Sequence, residues 1–183
     1  MRIARVLPAK LLAPLCIGAL VGCAAGPAIQ ADAKPDAAGA LARPADIDKW
    51  ISVGTTMRMK GEDPTVPDQF RHIQLEPGAY KALLAGGAYP DGAVLAATFY
   101  SARHDEDASN LYTQDKQVFF GLEVIDKSHP DGRRFYSFTD GVPTATPLPA
   151  GNACAVCHNA KGGLQGTFAQ HYPVIARFAK AAE

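Results

Sequence analysis

The chain has 183 residues, 48% of them hydrophobic and 20% charged. This suits one domain with a buried core and excludes a largely disordered chain. Eighteen basic residues balance eighteen acidic ones, so the chain carries no basic footprint for nucleic acid, and four Cys are too few for a disulfide scaffold.

Residues 1–22 read as a signal peptide. Arg2, Arg5 and Lys10 precede an apolar run over residues 11–21, too short to span a bilayer and typical of a secretory leader. Leu20-Val21-Gly22-Cys23 resembles a bacterial lipobox, which makes Cys23 the expected lipidation site and the first mature residue. Cleavage after Ala31 is the alternative. Residues 23–46 are rich in Ala, with Pro27, Pro35 and Pro44 interspersed, and read as a tether. The folded domain is then expected over residues 47–183, exported from a bacterial cytoplasm to the periplasm and held on a membrane by lipid.

Within that domain, residues 51–59 partly alternate and predict a half-buried strand, with Met57 and Met59 packing in the core. Residues 70–75 predict a second strand. Residues 77–85 predict a helix that opens on Pro77 and ends at Gly86-Gly87. Pro90-Asp91-Gly92 and Pro130-Asp131-Gly132 are turn signals, and strands are expected at residues 93–101, 117–125 and 135–139. Residues 104–115 are polar and read as an exposed loop, and residues 144–152 as a Pro-rich loop. Phe168, Tyr172, Ile175 and Phe178 step by four and three and predict a helix over residues 165–181, with a kink at Pro173. The fold class expected is α+β, mainly an antiparallel sheet with a few helices.

Cys154-Ala155-Val156-Cys157-His158 is the attachment motif of a c-type haem. Two thiols at this spacing reach the two vinyl groups on one edge of a porphyrin, and His158 is then the iron's proximal ligand. A thioredoxin-like redox pair would need a βαβ context, and a zinc site would need a second paired cluster; neither pattern is present. For the other axial position the chain offers little. No Met follows His158, and the spare imidazoles that could approach are His72 and His171, with His104 and His129 expected at the surface. The simplest expectation is one haem with an open or water-filled sixth position. Such an iron binds small gases or reacts.

At this point the chain resembles the cytochrome P-460 family, which includes the β-sheet cytochromes c′. Trp50 to Thr55, Phe70 to Ile73 with Glu76 to Tyr80, Gly87 to Gly92, Gly121-Leu122-Glu123, and the haem motif followed by Phe168, Tyr172 and Pro173 match its pieces in order. The resemblance implies a mainly antiparallel mono-haem c-type cytochrome, often dimeric, with His158 as the proximal ligand. It also implies that a Lys cross-linked to the haem would mark an oxidase acting on hydroxylamine. That position, the fifth after Gly92, is Ala97. Strand alternation puts Ala97 and Phe99 on one face, making them candidates for an apolar distal pocket with Phe99 as its cap; Phe70, Phe119 and Phe120 are others. Glu123 is either part of a buried network or an exposed strand residue. The function expected is binding of nitric oxide or a similar small gas. The alternatives are an oxidoreductase acting on hydroxylamine or nitric oxide, and a periplasmic electron-transfer cytochrome with its own redox partner.

Overall fold

A computed structural model describes residues 33–180, apart from Glu62, Ala108 and Ser109. The signal peptide, the lipobox and Cys23 lie outside the described residues. Five strands form one antiparallel meander: β2 (Ile51–Lys60), β3 (Asp63–Leu75), β4 (Val94–His104), β5 (Tyr112–Ile125) and β6 (Arg133–Ser137), each hydrogen-bonded to its neighbour in sequence. The helix α1 (Pro77–Gly86) joins β3 to β4. Pro77 fits its first turn, where no N–H is needed, and the Gly87 N–H closes the last turn on the Leu83 carbonyl at 2.8 Å. The Pro90 turn is closed by the Ala93 N–H on the Pro90 carbonyl at 3.1 Å. The fold class is α+β with the sheet dominant, as its turn signals and alternation predict.

The sheet has two covered faces, so its strands carry two apolar sets. Val94, Ala96, Phe120, Leu122 and Val124 pack on one face with Leu41, Trp50 and Tyr136. Leu75, Leu95 and Ile125 pack on the other with Leu83 of α1 and with Leu164, Tyr172 and Ile175 of the C-terminal segment. The second face carries the site.

Five expectations are corrected. The tether does not extend to Asp46. Leu41 is fully buried, and β1 (Leu41–Ala42) pairs with β7 (Thr144–Ala145), so the folded domain begins before residue 47, and the Pro-rich loop over residues 144–152 contains a strand. The polar segment over residues 104–115 is a loop only over residues 105–111, because β4 runs to His104 and β5 starts at Tyr112. Backbone pairing holds a two-sided polar ribbon that shows no hydrophobic period. The C-terminal helix is broken into two 3₁₀ turns (Leu164–Gly166 and Ala169–His171) and the short α3 (Ala176–Lys180). Gly166 is left-handed and Pro173 has no N–H to donate, yet Tyr172 and Ile175 are still buried. Finally, Met57 is half exposed on the edge strand rather than in the core.

Candidate functional site

The Cys-x-x-Cys-His motif lies on α2 (Ala153–Lys161). Asn152 caps this helix: its Oδ1 accepts from the N–H groups of Cys154 (2.9 Å) and Ala155 (3.2 Å). Spacings of three and four residues put Cys154, Cys157 and His158 on one helix face. All three line a cavity of about 490 Å³ between α2, the C-terminal segment and the sheet. That volume is in the ordinary range for cofactor sites.

The floor of the cavity is three rungs of the β-ladder. Leu75, Leu95, Glu123 and Phe135 are register partners in the first, Gly54, Ile73, Ala97 and Gly121 in the second, and Thr56, Arg71, Phe99 and Phe119 in the third. Successive rungs are about 7 Å apart. The middle rung is low because Ala97 and Gly121 carry almost no side chain. Phe119 leans over Gly121 so closely that a Cβ there would collide with its ring and with the Tyr136 carbonyl. Phe99 and Phe119 meet with centroids 4.9 Å apart. The alternation that places Ala97 and Phe99 together on the cavity face holds. Phe119 joins them, whereas Phe120 packs on the opposite face and Phe70 is not part of the wall.

His158 stands over the first rung. Its Nδ1–H donates to the Gly166 carbonyl at 3.1 Å, and a Glu123 carboxylate oxygen is 3.5 Å from the same nitrogen. Phe135 and Phe168 meet the ring edge-on, with centroids 4.9 and 4.7 Å away. The imidazole is therefore fixed in orientation and tautomer, with its Nε2 lone pair unused. This is the second-layer arrangement that raises the basicity of a metal-binding His. Glu123 is buried, and Arg133, also buried, donates Nη1–H to it at 3.1 Å. This settles the reading of Glu123 as a network residue. Gly166 is held in place from both sides. A side chain there would run into the Arg133 guanidinium. The preceding residue, Gln165, has φ +46° and is pinned by two hydrogen bonds to the Tyr89 backbone.

Burial is the main force on the titratable groups of the wall. It pushes the Cys154 thiol up, with the neighbouring Cys157 and Glu123 adding to the shift. It also pushes the Tyr89 hydroxyl well above an ordinary phenol, so both groups stay protonated at neutral pH. His171 lines the cavity and stacks on Phe168 at 5.8 Å. His72 is not in the wall and pairs with the Thr55 hydroxyl at 2.9 Å. His129, expected at the surface, is partly buried 3.8 Å from Asp131.

Sequence reasoning did not single out Arg133, Gly166, Gln165, Tyr89 or Arg71. Arg133 had a local signal. It alternates with Phe135 on a strand that leaves an Asp-Gly turn, so one of Arg133 and Arg134 had to face inward. Arg134 turns outward to Asp126 at 2.6 Å.

The residues present fit a c-type haem: two accessible thiols, an imidazole with a free and oriented Nε2, and a largely apolar chamber in front of them. No curated protein matches the chain. A family model described as Cytochrome P460 matches residues 44–168, which spans β2 to β6 and the whole haem motif. The family's cofactor is haem with its iron, and the chain belongs to the cytochrome P460 family.

Proposed function

We propose that this is an exported c-type haem protein that holds one haem and binds nitric oxide or a similar small gas. Cys154 and Cys157 supply the two thioether links, and His158 supplies the proximal nitrogen through Nε2. When bound, the haem iron supplies a coordination position for a diatomic ligand. The protein's part is to fix His158 through Gly166 and to keep the opposite side free of a protein ligand.

The observation that carries this reading is the Phe99–Phe119 pair, two rungs from Glu123 across the small Ala97–Gly121 rung. It puts aromatic carbon across the cavity from His158, which supports a side with no protein ligand for the iron. Among the described residues, His171 is stacked on Phe168, His72 lies outside the wall and Met57 is half exposed. Ala97 provides no amine for a cross-link, which argues against hydroxylamine oxidation. The test is the absorption spectrum of the reduced protein with and without carbon monoxide. The expected result is a high-spin spectrum that shifts with gas. A low-spin spectrum unmoved by gas would establish a sixth protein ligand and an electron carrier. A strongly red-shifted main band would establish a cross-linked haem.

We also propose that Cys23 carries the lipid and holds the protein on the periplasmic side of a bacterial membrane, where a small gas or nitrogen-oxide ligand, a redox partner or a second copy of the chain would meet it. The mass of the mature N-terminal peptide tests this: an acylated Cys23 supports it, and a free N-terminus at Asp32 overturns it.

A further inference from the structure

The cavity wall is largely apolar but has one polar corner, where β2 and β3 meet the C-terminal segment. Arg71 lies there, partly buried, opposite Thr56 in the ladder. Its guanidinium is 5.0 Å above the Phe99 ring, and its Nε–H donates to Gln69 Oε1 at 3.1 Å. These two contacts orient the group, whose residue lines the cavity and whose two terminal nitrogens take part in neither the Gln69 bond nor an ion pair. The Thr56 hydroxyl is 3.5 Å from the Tyr172 hydroxyl, and both side chains line the same cavity. Arg58, Arg133 and Arg134 each pair with a carboxylate. Among the described residues, Arg71 has none within ion-pairing distance. A guanidinium turned into an apolar wall without an anion is costly, and its planar fork matches an anion with two oxygens.

We propose that Arg71, with the hydroxyls of Thr56 and Tyr172, forms an oxyanion subsite inside the cavity, fitted to a small planar monoanion with two terminal oxygens. Two sources have this chemistry: free nitrite, and a propionate of the bound haem. The propionate source rests on the haem reading above, whereas the nitrite source requires only the corner itself. Tyr172 suits the role as a donor, because burial raises its pKa, while the Thr56 hydrogen bond and then the Arg71 charge oppose that rise only in part.

The experiment uses the purified holoprotein, with covalent haem first verified by the mass of the denatured chain. Sodium nitrite is titrated by calorimetry into the wild type, R71Q, R71K and T56V, each checked for unchanged circular dichroism. Resonance Raman spectra of the same samples report the propionate bending modes. Nitrite binding that weakens about 10- to 100-fold in R71Q, and less in R71K, identifies the free anion as the occupant. Nitrite binding that is absent or insensitive to R71Q, together with shifted propionate modes, identifies the haem carboxylate. If neither reading moves in any variant, the subsite is overturned. If R71Q folds poorly, T56V and R71K carry the same comparison. A chain without covalent haem would remove the haem reading, but the calorimetric arm would still decide the corner.

Discussion

Gly166 shows how closely the site is specified by single residues. Its carbonyl accepts the His158 Nδ1–H hydrogen bond, its φ is +70°, and its missing side chain makes room for the Arg133 guanidinium. Gly166→Ala is expected to cost about 1–3 kcal/mol, as overpacking of a filled interior does, and to release the His158 ring. Denaturant unfolding measures the first effect, and the iron–histidine stretching frequency of the holoprotein measures the second. Phe99→Ala is expected to leave the fold intact and to speed entry of carbon monoxide by about tenfold, a barrier change of about 1.4 kcal/mol. Unchanged association rates in a flash-photolysis measurement would show that Phe99 is no cap. Much of this scale was legible beforehand. The Cys-x-x-Cys-His spacing stands out in the sequence, and period-two alternation joins Ala97 to Phe99. Glu123 stayed open between two readings because its partner Arg133 comes from another strand, and pairing across strands leaves no mark on the local pattern. Arg71 was missed for the same reason. Within β3 it looks like any strand arginine, and only the register with Thr56 and Phe99 reveals the face it occupies.

The elements behave as their ends dictate. α2 starts at Asn152, whose side chain satisfies two N–H groups that would otherwise have no partner. Asn152→Ala is expected to destabilise the protein by about 1 kcal/mol. It should also lower the yield of haem attachment, because the cap sets where Cys154 begins its turn. Melting temperature and the covalent haem content of purified protein check the two effects. The turn between β5 and β6 is held in another way. Ser128 hydrogen bonds and the Arg134 guanidinium draw the Asp126 carboxyl from 3.8 to about 2. The folded form therefore favours the ionised carboxylate. That contribution is complete above about pH 4 and is lost as pH falls toward 2. Asp126→Asn is expected to flatten this part of the stability profile, measured by urea unfolding at a series of acid pH values. Strand positions came through in the sequence because Asp-Gly turns bracket alternating runs. The C-terminal helix did not, because residues that step by three and four are buried equally well by 3₁₀ turns packed on a sheet. The local pattern cannot register that Gly166 is committed to a left-handed turn by a distant arginine.

At the scale of the whole molecule, the N-terminal segment closes the face of the sheet that the cavity does not use. Leu41 is fully buried there, and Tyr136 donates its hydroxyl proton to the Gly39 carbonyl at 3.3 Å. Leu41→Ala is expected to cost about 2–5 kcal/mol, whereas a true tether residue would cost almost nothing; chemical unfolding of the variant separates the two. Ala-rich, Pro-spaced sequence hid this contact, because one buried leucine gives no period. The order of the chain has its own consequence. All five strands of the cavity floor join neighbours in sequence, and every one precedes Cys154. On the export reading proposed above, a chain that crosses the membrane N-terminus first would present the floor before the thiols. The segment that forms the opposite wall, with Phe168 and Tyr172, emerges after them. Without that segment the chamber would be an open trough, accessible from above to a flat, bulky group. The last stretch of polypeptide, with Phe168 and Tyr172, would then close over that group as a roof, so that cofactor loading and completion of the fold would share one final step.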